Sequence, residues 1–342
     1  MKAVVLVGGE GTRLRPLTET IPKPLLPIVN RPFLHRVLDH LAGHGVHEVV
    51  ASSSYLEASF AEFIAERHGD PRLTWITEET PLGTGGAIVN ALPYVDDTFF
   101  VLNGDILTDL DLTALLELHR GRNAMATIAL HRVDDARPYG LVASDSDARV
   151  VEFREKPTEL VPGEINAGTY VLEKEALRGW ERGQLVSIER EIFPIIIGNG
   201  LPVYSVLSDA YWIDLGTPEK YLQAHFDLLR GRVPAIRYPE PFVAETAIVD
   251  PEARLGRRVV VGERSTIEAG AEVEDSVLLD GAFVGADAVV AGSVLGPATE
   301  VGRRAEVRDS VLAEGVSVEA GAGLEGGRIS AGRRVGATTT EA

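Results

Sequence analysis

The sequence predicts a doubly wound parallel α/β sheet followed by a parallel β-helix. Three observations carry this. Ala3–Val7 and Phe99–Leu102 are nearly all apolar, as strands covered on both faces are, and they alternate with helix-like stretches. From Phe242 onward an aliphatic residue recurs every six positions, with small residues between. Between these regions lies a stretch containing Pro234, Pro239 and Pro241, which reads as a linker.

In the first region Ala3–Val7, Glu48–Ser52, Thr74–Thr77 and Phe99–Leu102 read as strands. Phe33, Leu34, Val37, Leu38 and Leu41 fall on one helical face; Phe60, Phe63 and Ile64 do likewise, as do Leu112, Leu115 and Leu116. Strand–helix–strand alternation implies parallel pairing, with ligands beyond the carboxyl ends of the strands. Ala126–Arg132, Leu141–Ala143, Val150–Phe153, Thr169–Leu172 and Val203–Val206 follow with fewer helices between them and are read as an extension of that sheet. In the second region Val261, Leu278, Leu295, Leu312 and Ile329 are each 17 residues apart, and Ser-Val-Leu recurs at 276–278, 293–295 and 310–312. Two steps of six and one of five describe three short strands per coil, each turning one aliphatic inward. The expected division is therefore 1–232, a linker 233–241, and a β-helix over 242–342.

Composition narrows the function. The 342 residues carry a net charge of −18, which argues against a nucleic-acid binder. No cysteine is present, so thiolate metal sites and disulfides are excluded. No apolar run approaches the roughly 20 residues of a membrane helix, and the amino terminus lacks a signal-peptide core. A cytoplasmic protein without a membrane partner is expected. Only five of the 33 basic residues are lysine, at 2, 23, 156, 174 and 220, so their positions are informative.

After the first strand comes Gly8-Gly9-Glu10-Gly11-Thr12-Arg13. Glycines let backbone N–H groups converge on an anion, and a guanidinium beside them makes a phosphate clamp. No Gly-Lys-Ser/Thr follows, so this is not a P-loop. Lys23 stands between Pro22 and Pro24, and Lys156 precedes Pro157 after a strand. Such stiffened backbones suit point charges that must meet a phosphate in fixed geometry. Asp105 and Asp214 each end a strand, with Thr217 and Pro218 reading as a helix cap and first turn. Taken singly, each aspartate suits a cap or turn as well as a metal. Asp109 and Asp111 read as the cap of the next helix, and Arg15 as a phosphate aid or a structural ion pair.

The run GGEGTRLRPLT…PKPLLPIVNRP resembles the signature of the sugar-1-phosphate nucleotidyltransferases. The resemblance continues, in order, through Leu82–Gly86, Leu102–Asp105, Glu155-Lys156-Pro157, Asn166-Ala167-Gly168 and Trp212–Pro218. Within the family, Glu78–Thr84 and Asn103-Gly104-Asp105 look most like mannose-1-phosphate guanylyltransferases. The resemblance implies a Rossmann-like nucleotidyltransferase domain followed by a left-handed β-helix. It also implies a reaction in which a hexose 1-phosphate attacks the α-phosphorus of a nucleoside triphosphate and expels pyrophosphate. By resemblance and chemistry together, Arg13, Lys23 and Asp105 are expected to be catalytic. Leu6, Gly8, Gly9, Gly11, Thr12 and Gly83 are expected to face the nucleotide, with Gly85-Gly86 open to a simpler reading as a loop-to-helix turn. Gly140, Glu155, Lys156 and Asn166 are expected to hold the sugar phosphate, and Asp105 with Asp214 to bind Mg²⁺.

The expected substrates are GTP and mannose 1-phosphate; glucose 1-phosphate with dTTP or UTP is the alternative within the class, and a non-catalytic regulatory paralogue the alternative outside it. Arg13, Lys23, Asp105, Lys156 and Asp214 are all present, which favours an active enzyme. His40, His44 and His47 resemble a metal cluster, but the end of an amphipathic helix suits histidine without one. No histidine follows residue 225, so the β-helix lacks the base that hexapeptide acyltransferases use. It is read instead as a homo-oligomerisation or regulatory module.

Overall fold

Strand β1 (Lys2–Leu6) lies inside a nine-stranded sheet, where three consecutive buried residues, Ala3 to Val5, remove both of its faces from water. The computed structural model describes residues 1–53, 57–66 and 69–336; His68 falls outside them. Two compact units emerge, Met1–Gly9 with Leu34–Trp212 and Glu10–Phe33 with Ile213–Ala342.

In the first unit, β1 pairs in parallel with β2 (Glu48–Ser53) and with β4 (Thr98–Asn103), and β2 with β3 (Arg72–Thr77). The helices α1 (Phe33–Gly43), α2 (Glu57–Glu66) and α3 (Gly83–Ala91) alternate with these strands, the arrangement expected of crossover connections. Beyond β4 antiparallel pairs enter the sheet. Strands β5 (Ala126–Val133), β6 (Gly140–Ser144), β7 (Val150–Glu155), β8 (Gly163–Glu173) and β9 (Val203–Leu207) complete an order of 7-6-8-4-1-2-3, with β5 flanked by β8 and β9. The long β8 runs antiparallel to β4, β5 and β6. The later strands do extend the same sheet, but the sheet is mixed. With no helix between β6, β7 and β8, the chain has no crossover to restore its direction and must fold back.

Helix α4 (Leu112–Gly121) is capped by Asp111, whose Oδ1 accepts from the Ala114 amide at 3.0 Å. Asp109 instead accepts from the Tyr211 amide at 2.7 Å. His40 on α1 lies beside His44, Asp111 and the Leu110 backbone, and burial, then His44, lower its pKa to about 4. The unfolded chain takes up this proton near pH 6.5 and the folded protein resists it. Stability therefore falls as pH drops from 6.5 towards 4, by about 3 kcal/mol at most from this group. Denaturant unfolding at pH 7.5 and 5 should show the loss, and His40→Leu should flatten it.

The second unit contains three parallel sheets of a left-handed β-helix, with β-strand pairs separated by one coil. Val261, Leu278, Leu295, Leu312 and Ile329 all point into the coil with Ile267, Val284, Val301 and Val318. The repeated serines 276, 293 and 310 are fully buried. Ser293 Oγ donates to the Ala291 carbonyl at 2.7 Å and accepts from the Ser310 amide at 3.1 Å. Its neighbours repeat the pattern, so each hydroxyl stitches one coil to the next and leaves no orphaned polar group.

Helix α5 (Phe193–Gly198) belongs to the first unit and α6 (Pro218–Leu229) to the second. Val260, Val277 and Val294 face away from the coil interior yet are at most 1% exposed. Helix α6 packs on the 276–278 strand, with Phe226 under the Arg258 guanidinium at 5.1 Å. Residues 10–33 are tied to the same coil. Glu19 accepts from Ser330 Oγ at 3.0 Å and the Ala331 amide at 3.3 Å, and Asn30 Nδ2 donates to Glu263 at 3.0 Å.

Candidate active site

In the first unit several of the expected site residues stand at the carboxyl ends of β1 and β4. Leu6 lies opposite Asn103 in the parallel register, and the Gly104 amide donates to the Leu6 carbonyl at 2.9 Å. A Cβ on Gly104 would sit 2.7 Å from that oxygen, so only glycine lets the two strand ends close. This brings Gly8-Gly9 and Asp105 to neighbouring strand ends, at the point where the strand order reverses about β1.

The loop from Glu78 to Gly86 is held at both ends. The Glu78 carboxylate is buried, accepting from Ser52 Oγ at 2.7 Å and from the Leu82 amide at 3.0 Å. Gly83 has φ +71, and its Cβ would lie 2.7 Å from the Val186 carbonyl. Gly85 and Gly86 form the first turn of α3 and pack directly on the 184–188 segment, the loop-to-helix role left open above.

Gly140 and Glu155 face each other across the β6–β7 pair. A Cβ on Gly140 would meet the Phe153 ring at 2.7 Å and Glu155 Oε2 at 3.0 Å, so the glycine makes room for that carboxylate. Burial, reinforced by the facing Glu189 and opposed by Lys156, raises the Glu155 pKa. Lys156 Nζ is 3.4 Å from Glu155 Oε1 and its side chain is 56% exposed. The Lys156 backbone is left-handed, φ +51, which an L-residue with a side chain adopts at a cost. Its amide donates to the Tyr139 carbonyl at 2.9 Å.

Asn166 braces a bulge in β8: Nδ2 donates to the Tyr170 hydroxyl at 2.7 Å and Oδ1 accepts from the Gly168 amide at 2.8 Å. Tyr170 is fully buried, and burial raises its pKa well above the ordinary value, with Glu189, Glu155 and Asp105 adding to the effect. Gly168 presses against Asn103 and Ile106. Asn103, Gly168, Asn166 and Tyr170 thus form one packed group, whose Tyr170 feels the charges of Asp105, Glu155 and Glu189.

In the second unit, residues 10–33 fold as three short 3-10 turns. Gly11 has φ +60; its carbonyl accepts from Thr18 Oγ1 at 2.8 Å, and a Cβ there would strike Thr18 at 2.9 Å. Thr12 and Arg13 begin the first turn, and Lys23 begins the third. Arg15 pairs with Glu10 at 3.0 Å on the surface, the structural alternative. Asp214 is 9% exposed, with Oδ1 accepting from the Gly216 amide at 3.0 Å and Oδ2 from Lys220 Nζ. A Cβ on Gly216 would meet both Asp214 Oδ1 and the Arg13 guanidinium, so Arg13 and Asp214 share the space over this glycine. Thr217 caps α6, accepting from the Lys220 amide at 3.4 Å.

Two side chains escaped the sequence reading. Lys220 follows Asp214 by six residues and is one of only five lysines, a usable signal; Glu189 carried none. Among the described residues no three acidic or histidine side chains gather to hold a metal by themselves. A single carboxylate is chemically compatible with Mg²⁺, which takes one or two carboxylates and fills its shell with water and phosphate oxygens. Asp214, in the second unit, faces one cation in Lys220.

Residues 2–231 match the family described as Nucleotidyl transferase, and residues 238–341 match the GMPPB C-terminal domain. The chain belongs to the sugar-1-phosphate nucleotidyltransferases, enzymes that transfer a nucleotide to a hexose 1-phosphate. It is similar to the mannose-1-phosphate guanylyltransferase of Mycobacterium tuberculosis, 42% identical over 84% of this chain and 82% of that protein. Mannose-1-phosphate guanylyltransferase 1 of Arabidopsis thaliana is 35% identical over 89% and 88%. Among solved structures, HddC from Yersinia pseudotuberculosis is 34% identical with a TM-score of 0.58, over 66% of this chain and 97% of that one. The family carries the expectation of a divalent cation. No helix among the described residues is long and apolar enough to cross a membrane.

Proposed function

We propose that the enzyme makes GDP-mannose from GTP and mannose 1-phosphate. The observation that carries this reading is similarity to guanylyltransferases along most of the chain, joined to the packed Asn103, Asn166 and Tyr170 group, whose Tyr170 feels the charges of Asp105 and Glu155. A phosphate oxygen of the sugar phosphate attacks the α-phosphorus; the bond from that phosphorus to the β-phosphate bridging oxygen breaks, and pyrophosphate leaves. The nucleophile is already ionised, so no general base is needed, and the protein's tasks are positioning and charge stabilisation.

Lys156 holds the sugar phosphate, and Glu155, Asn166 and the Gly140 backbone address the hexose hydroxyls. Arg13 and Lys23 meet the triphosphate, with backbone N–H groups of Gly8, Gly9, Gly11 and Thr12 assisting. Leu6 and Gly83 face the base and ribose. Asp105 and Asp214 are the residues that would hold Mg²⁺, which when bound supplies charge neutralisation on the phosphates. We further propose a catalytic domain at 1–232, a linker at 233–241 and a β-helix at 242–342 that assembles copies of the chain in the cytoplasm.

Pyrophosphate release should be measured with GTP, dTTP, UTP, ATP and CTP against mannose and glucose 1-phosphates, with and without Mg²⁺. The fastest turnover is expected for GTP with mannose 1-phosphate and the metal. Preference for UTP or dTTP with glucose 1-phosphate would replace the substrate assignment, and silence in every combination would favour a regulatory protein.

A further inference from the structure

Thr84 stands in the glycine loop just after Gly83, yet its hydroxyl is engaged 105 residues away. Its Oγ1 donates to Glu189 Oε2 at 2.6 Å and accepts from the Ile188 amide at 3.1 Å. The same carboxylate oxygen accepts from Ser187 Oγ at 2.7 Å. Glu189 sits on one π-helical stretch, Ile188–Ile192, in which Ile188 and Ile192 are buried and the backbone is wound more widely than an α-turn. The loop has little freedom elsewhere. The Gly86 amide donates to the Val186 carbonyl at 3.0 Å, the Val186 amide to the Leu82 carbonyl at 2.9 Å, and Cβ atoms at Gly83, Gly85 or Gly86 would collide with residues 184–192.

We propose that Glu189 is a positioning residue for the nucleoside triphosphate, fixing the glycine loop through Thr84. This rests on the reading of Gly83 as a nucleotide contact. A half-buried carboxylate facing another, Glu155, is unfavourable on its own and persists where hydrogen bonds to its charged form compensate. Here the compensating donors are two hydroxyls, one of them in the loop. Hydrogen bonds to an ionised acceptor are short and about twice as strong as neutral ones, so this contact can set the position of Thr84. The other tethers of the loop found among the described residues are the Ile188 amide on Thr84 Oγ1, backbone hydrogen bonds and packing, with Glu78 holding its start at Leu82.

The test is direct binding of GTP by calorimetry, with steady-state KM for both substrates and thermal unfolding, on Glu189→Ala, Glu189→Gln, Thr84→Val, Thr84→Ser and the Ala/Val double variant. In Glu189→Ala GTP affinity should fall about tenfold and in Thr84→Val at least as much, since valine also removes the acceptor of the Ile188 amide; the double variant should fall no further than Thr84→Val alone. Glu189→Gln and Thr84→Ser keep an acceptor and a donor, and should lose no more than about threefold. The KM for mannose 1-phosphate should stay within about twofold throughout. Unchanged GTP affinity in Glu189→Ala overturns the proposal, whether the loss then appears in mannose 1-phosphate KM, revealing a hexose contact, or only in thermal stability, revealing a brace. Additive losses in the double variant overturn it too. Absent turnover in the wild type would instead defeat the parent reading, and GTP affinity would still decide the role of Glu189.

Discussion

Lys23→Ala should cut kcat by about three orders of magnitude, close to 4 kcal/mol of transition-state stabilisation, while leaving the fold intact. The backbone around Lys23 is fixed by its neighbours. Pro22 and Pro24 fix two of the flanking dihedrals, and the Pro22 carbonyl accepts from the Leu25 amide at 2.8 Å and the Leu26 amide at 3.2 Å. Lys23 Cβ lies 3.4 Å from the place a Gly11 Cβ would occupy, so the side chain starts directly beneath the glycine turn. Alanine preserves that start and removes the reach and the charge. Thermal unfolding should therefore move by a few degrees at most, and the loss should fall on kcat because charge develops between substrates already bound. Lys23→Arg should rescue poorly, since a planar fork cannot replace a point charge on a stem of set length. Rapid-quench turnover of the purified variant is the measurement; near-normal kcat in Lys23→Ala would remove Lys23 from the catalytic set.

What the sequence made legible was periodic or locally stiff. The β-helix declared itself because each coil reuses the same inward positions, so Val261 and its successors recur at one spacing. Strands β1 and β4 were visible because burial on both faces leaves no polar position in them. Strand β8 was read only from Thr169, because the bulge between Asn166 and Tyr170, with Gly168 at φ +69, breaks its alternation. Hydrogen bonds between distant side chains leave no period to read, and so Thr84 with Glu189, or Asp214 with Lys220, could not be paired in advance. One signal was present but unread. The middle residue of each Ser-Val-Leu repeat points out of the coil, where Thr266, Glu272 and Glu300 stand on the other two sheets. An unbroken apolar column there, Val260, Val277 and Val294, marks a covered face, unlike the isolated and partly exposed Phe283 and Val289 of the other sheets. Val277 is buried where α6 packs on its strand.

Lys156→Gly separates folding from function at a second lysine, in the opposite sense. At φ +51 a lysine backbone is strained by about 1 kcal/mol or slightly more, and glycine is not. The hydrogen bond from its amide to the Tyr139 carbonyl survives any substitution but proline. The pair with Glu155 is held by a side chain more than half exposed, where solvent screening leaves it little worth. Glycine should accordingly leave stability unchanged or raise it by up to about 1 kcal/mol. Activity should move the other way. Loss of an ammonium from the sugar phosphate should lower kcat/KM for mannose 1-phosphate by about two to three orders of magnitude, with GTP affinity in the absence of sugar little altered. A residue kept in a costly backbone conformation is retained for something other than stability, and position 156 is where the chain turns out of β7 beside Glu155. The measurement pairs denaturant unfolding with kcat/KM on one preparation. If Lys156→Gly loses stability and activity together, the lysine is a structural element of the β6–β7 hairpin and the sugar phosphate is held elsewhere.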